Sequence, residues 1–142
     1  MSAETLEDWI AEHPLPDEAF RQSLALVADR IRAGEELRFA VRELLDEFKL
    51  LPRVDLRERA IATRPPPTGD PRADAYLGAL AEHLAVVNDL ERPGWSIEPE
   101  RFLERFWFPH LLPAFRPLAI AQSPAAFRRR GIFIAAGALD RR

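Results

Sequence analysis

Cysteine is absent from the 142-residue sequence, which excludes disulfides, thiolate metal sites and a cysteine nucleophile and fits a reducing cytoplasm. Glycine is scarce at six residues, and serine occurs only at Ser2, Ser23, Ser96 and Ser123. No Gly-x-Gly-x-x-Gly, phosphate loop or nucleophile elbow is present, so a nucleotide cradle and a serine-hydrolase site both lack their material. The three histidines, His13, His83 and His110, share no metal-ligand spacing. A Glu82-His83 pair near Asp89 fails as acid–base machinery because adjacent helix positions point apart. No uninterrupted apolar run reaches membrane-spanning length, and the acidic start Met1–Asp8 has no apolar core of a secretion signal. These absences predict a soluble cytoplasmic protein that is not an enzyme and holds no metal or cofactor.

What is present points to a folded domain. Hydrophobic residues make up 47% of the chain, and its length is that of one domain, or a small domain with an appended module, able to bury roughly two-thirds of its surface. The formal charge of −3 is unevenly spread. Residues 1–62 hold 14 acids and 9 bases, whereas from Phe106 onward Asp140 is the one acid against six arginines. An acidic front and a basic tail imply either a bipolar interaction surface or packing of one part on the other.

Helical periodicity dominates the first 62 residues. Ser2 to about Glu12 reads as a short helix with Leu6, Trp9 and Ile10 on one side, ended by His13-Pro14-Leu15-Pro16. A second helix is expected from Asp17 to about Ala33 through Phe20, Leu24, Val27 and Ile31, broken at Gly34. A third spans Glu35 to Leu51, with Leu37, Val41, Leu44, Leu45 and Phe48 as a wide apolar stripe. Pro52 stops it, and Val54 to Ala62 forms a short fourth. Residues 63–69, with Pro65-Pro66-Pro67, predict a stiff extended spacer between modules 1–62 and 70–142. Asp70 as N-cap and Pro71 in the first turn open the longest helix, running to about Leu90 through Tyr76, Leu77, Leu80, Leu84 and Val87. Beyond Pro93-Gly94 the prolines leave short pieces only: a turn or two over Ile97–Leu103 and another over Leu118–Gln122. The expected class is all-α, a compact set of short helices with an irregular proline-rich C-terminal part.

Two groups are candidates for binding. Trp95, Phe102, Phe106, Trp107 and Phe108 form the densest aromatic cluster, and three consecutive aromatics cannot all face one surface, so at least one points outward. Ser123-Pro124-Ala125-Ala126-Phe127-Arg128-Arg129-Arg130-Gly131-Ile132-Phe133-Ile134 reads as a complete unit. Ser123 caps a helix, Pro124 occupies its first turn, Gly131 closes it, and Ile132–Ile134 continues extended. Phe127 and Phe133 pin this basic helix end to the body. Arg128–Arg130 fit a solvated helix C-terminus, an acidic protein surface or a nucleic-acid backbone. A helix-turn-helix across Arg32-Ala33-Gly34-Glu35 is disfavoured, since Glu35, Glu36, Glu43, Asp46 and Glu47 would repel phosphates.

Residues 65–139 resemble a group of small actinobacterial proteins, and the tails of some regulators, encoded beside nucleotidyltransferase-like toxins. The resemblance rests on Pro66–Arg72, Leu77–Leu84, Pro93-Gly94-Trp95, Arg101-Phe102-Leu103 with Phe106-Trp107-Phe108, and above all Ser123–Ile134. It implies an antitoxin or accessory partner that binds a toxin protein. The residues expected to meet that partner are Trp107, Phe127, Arg128, Arg129 and Arg130, covering an acidic catalytic pocket; the alternative is a DNA-binding transcriptional autoregulator.

Overall fold

The computed structural model describes residues 22–109, 112–135 and 137–140. The expected first helix, the stretch from Asp17 to Arg21, His13 and His110 lie outside the described residues. The fold is all-α: six helices joined by turns, with no strand among the described residues.

Ser23 sets the first boundary. Its backbone is extended and its Oγ accepts a hydrogen bond from the Leu26 amide at 3.1 Å, so helix α1 runs Leu24–Arg32. A capping serine in the extended region starts a helix rather than continuing one, which moves the start from the expected Asp17. Helix α2, Leu37–Leu50, buries Ala40, Val41, Leu44, Leu45 and Phe48. Helix α3, Val54–Ala62, has the expected bounds and turns Ala60 and Ile61 inward.

Helix α4, Pro71–Val87, is the axis of the molecule. Asp70 caps it as expected, its Oδ1 accepting from the Arg72 amide at 3.0 Å. It ends three residues before the expected Leu90, at Asn88 and an Asp89 whose φ of +54° breaks the helical path. Residues Ala75 to Glu82 are buried without interruption, so this helix is covered around most of its circumference. It packs against α1, two short turns at Gly94–Ile97 and Pro99–Arg101, and the C-terminal helix α6, Ala125–Arg128. Helix α5, Arg116–Gln122, follows a turn at Pro113–Phe115 and packs against it.

One apolar cluster takes side chains from both sides of the proline segment, from Leu24 in α1 to Ile134 near the C-terminus. Residues 63–69 are correspondingly more than a spacer. Pro65 is fully buried, and its carbonyl accepts from the Arg101 guanidinium at 3.1 Å. The Trp95 indole donates across the same crossing to the Ile61 carbonyl at 3.0 Å. Buried polar groups bonded in this way tie the two sides into one core.

Close approach explains Gly78. A Cβ built there would lie 2.9 Å from Arg101 Cβ and 3.1 Å from the Ser96 carbonyl oxygen. Only glycine lets both turns rest on α4. No helix among the described residues is long and apolar enough to cross a membrane.

Candidate functional site

The C-terminal unit is built by a clasp of backbone bonds. Gly131, at φ +80°, reverses the chain after α6, the left-handed turn expected of it. Ile132–Ile134 then runs extended beside the aromatic segment. Leu103 donates to the Arg130 carbonyl at 3.1 Å, Trp107 to Gly131 at 2.8 Å, and Phe133 to Trp107 at 2.9 Å. Ser123 serves this clasp and not a helix N-terminus, where Pro124 is the cap residue. Its buried Oγ donates to the Ile132 carbonyl at 3.1 Å and accepts from the Ile134 amide at 3.3 Å. Pro124 ahead of it and the returning chain behind it fix its side chain inward.

The structure separates the three arginines. Successive helical residues point about 100° apart, so Arg128, Arg129 and Arg130 cannot share a face. Arg130 lies three positions after Phe127, on the same side, and both are completely buried. The expectation that Phe127 and Arg130 meet a partner is therefore corrected. Phe127 packs edge-on against Tyr76, with ring centroids 5.0 Å apart. Arg130 donates to Glu82 on α4, to the Ala126 carbonyl at 2.7 Å and to the Ser96 carbonyl at 2.6 Å, and stacks over Phe102. Its Nε is the one buried side-chain polar atom without a hydrogen-bond partner among the described residues.

Glu82 is the centre of this arrangement, and sequence reasoning missed it, having considered it only within the rejected Glu82-His83 pair. It is 5% exposed. Arg130 binds one of its oxygens, while Arg92 at 3.2 Å and Arg129 at 3.1 Å reach the other. Burial pushes its pKa up, but Arg130, Arg92 and Arg129 outweigh that and hold it below the usual carboxylate value. Burial lowers the Arg130 pKa against the opposing pull of Glu82. The detectable signal was a lone acid in a helix otherwise apolar from Ala75 to Val87 except for His83. Such an acid folds only if paired.

Arg128 and Arg129 do face solvent. Arg128 donates to the Ala121 carbonyl at 3.1 Å, fixing the basic end to α5. Trp107 is half-buried, its ring 6.2 Å from Tyr76 and under the Arg72 guanidinium at 5.6 Å. The outward aromatic is Phe106, 74% exposed, with its ring edge-on to Phe133. Trp107 is held inward because its backbone pairs with Ile132 on the clasp. Its neighbour must then point away.

Beside these residues lies an apolar surface. Leu112, Phe115, Leu118 and Ile120 are each about half exposed or more, and Ala119 is the only residue that α5 buries. Arg116 stands within this run, its guanidinium 5.1 Å over the Phe108 ring. Between Arg105 and Leu139 the sequence holds no acid. An uncovered apolar stretch bordered by guanidiniums is the composition of a protein-binding surface.

A cavity of about 230 Å³ lies between α2 and the C-terminal segment, lined by Leu37, Val41, Leu45, Tyr76, Pro109 and Ile134 together with the exposed Arg38 and Arg42. Burial pushes the Tyr76 hydroxyl up to about 12, so it stays protonated. No acid or histidine among the described residues lines this cavity. Among the described residues, no group of three or more His, Cys, Asp or Glu side chains is placed to hold a metal ion. Compared with known proteins, the chain matches no family model, no curated protein and no solved structure, and its own geometry carries the functional argument.

Proposed function

We propose that this chain is a non-enzymatic, cytoplasmic protein-binding module: an antitoxin or accessory partner that neutralises a nucleotidyltransferase-like toxin encoded beside it by covering the toxin's active site. The observation that carries the reading is the uncovered apolar run from Leu112 to Ile120, bordered by Arg116, Arg128 and Arg129 in a stretch without acids. Nucleotidyltransferase pockets hold their metal ions with carboxylates, which gives guanidiniums bidentate partners. Leu118 and Ile120, exposed on two sides of α5, supply apolar contacts, and Phe106 is a further exposed aromatic beside the clasp. The resemblance of residues 65–139 to actinobacterial proteins found beside such toxins supports the same choice of partner.

The test is neutralisation in cells expressing the toxin. Replacing Arg128 and Arg129 with alanine, or Leu118 and Ile120 with serine, weakens complex formation at least tenfold while the thermal transition stays within a few degrees. Full neutralisation by both variants contradicts this placement of the binding surface. The alternative, a DNA-binding autoregulator, predicts operator binding that falls steeply with salt. The exposed acids Glu35, Glu36, Glu43 and Asp46 at and along α2 count against it.

A further inference from the structure

The ionic centre at Glu82 carries more positive charge than it can neutralise. Three guanidiniums converge on one carboxylate. Arg130 is inside the protein and fully enclosed, which leaves Arg92 and Arg129 to deal with the excess. Both contact the same Glu82 oxygen, at 3.2 and 3.1 Å, so the two guanidiniums are close neighbours. Each side chain is nevertheless close to half exposed, at 45% and 47%. The repulsion between these like charges is felt by Arg130, whose pKa both neighbours lower. The floor of the cluster is equally specific. The Phe102 ring lies against two of the guanidiniums, its centroid 5.8 Å from the Arg129 guanidinium carbon and 4.7 Å from that of Arg130. The donors of Arg92 and Arg129 that do not engage Glu82 are held near one another by the carboxylate they share.

We infer that Arg92 and Arg129, oriented by Glu82 over buried Arg130, form a receptor for a second oxyanion, a carboxylate or phosphate group bound across the two guanidiniums from the solvent side. Glu82 acts as a template: it draws two flexible side chains into one fork before the ligand arrives, so less side-chain entropy is lost on binding. The incoming anion supplies the negative charge the cluster lacks, through charge-assisted bonds that are short and directional. Its source is either an acidic side chain of a protein partner or a free phosphate group. The inference goes beyond the proposed partner role, because the site is complete in this chain alone.

The test uses the isolated protein with inorganic phosphate and, separately, acetate as probes, at ionic strength held constant with chloride. Arginine Nε–Hε resonances are followed by NMR. Saturable shifts of the Arg92 and Arg129 signals are expected with at least one probe. The apparent affinity falls tenfold or more in Arg129→Gln and in Arg92→Gln and is unchanged in Arg32→Gln, which removes the same charge from an exposed position at the end of α1. Tighter saturation by phosphate assigns the site to a free phosphate, and equal or tighter saturation by acetate assigns it to an acidic side chain. Shifts that are linear, that chloride reproduces, or that survive Arg129→Gln overturn the inference. Neutralisation data bear on the partner reading and leave this result untouched, so the two fail separately.

Discussion

At the scale of single residues the Glu82–Arg130 pair decides most. A buried charge that loses its partner is strongly destabilising, by about 3–5 kcal/mol, whereas replacing both members with apolar groups of similar volume is often neutral. Glu82→Leu is therefore expected to lower stability by that amount, and adding Arg130→Met is expected to restore most of it. Urea unfolding of these two variants and of Arg130→Met alone completes the cycle that gives the coupling between the residues. Acidification acts in the same direction at two groups. Glu82 titrates below its ordinary value of 4.5 in the folded chain. Its contribution is complete above that value and is lost as pH falls through the lowered one. Burial also lowers the His83 pKa from 6.5, so the unfolded chain takes up that proton first and stability begins to fall just below about pH 6.5. His83→Gln is expected to flatten the upper part of the stability–pH curve, and Glu82→Leu with Arg130→Met the lower part. Arg130 was legible as a residue on the Phe127 face, three positions on. Its partner 48 residues earlier was not, because periodicity assigns a face and cannot say which opposing element supplies the counter-charge.

At the scale of elements, α4 and the clasp carry the architecture. Gly78→Ala forces a Cβ to within 2.9 Å of Arg101 Cβ and 3.1 Å of the Ser96 carbonyl. Overpacking of this kind costs about 1–3 kcal/mol, and calorimetry is expected to show a lowered transition temperature despite alanine's better helix propensity. Helix α5 behaves in the opposite way. Leu118 and Ile120 face water, so serine at both positions is expected to change stability by under about 1 kcal/mol, and a large loss would mean they are covered in the free protein. The capped start of α4, the span of α3 and the stop of α2 at Pro52 could be read directly, because caps and prolines act locally. The extended run after Gly131 could be read for the same reason. The role of Ser123 could not, since its bonds to Ile132 and Ile134 depend on the chain returning. Which aromatic turns outward could not be read either, because three consecutive aromatics reveal that one does but only the Ile132 pairing selects Phe106.

At the scale of the whole molecule, the buried Glu82–Arg130 pair of the described residues joins α4 to the C-terminal unit within one apolar cluster. Much of the positive charge stays on the surface of the C-terminal part, which also carries the exposed apolar side chains of α5. The proline segment that marked a boundary in the sequence instead crosses one core, held by Trp95 and Arg101. The proposed role is that exposed side chains of α5 and the exposed arginines bind and silence a toxin encoded next to this chain. The most direct measurement is co-purification of this chain with the neighbouring gene product, paired with growth of cells expressing each alone and both together. The account predicts a stable complex, toxicity of the neighbour alone, and rescue by this chain that Arg128→Ala with Arg129→Ala abolishes. No complex and no toxicity would contradict it.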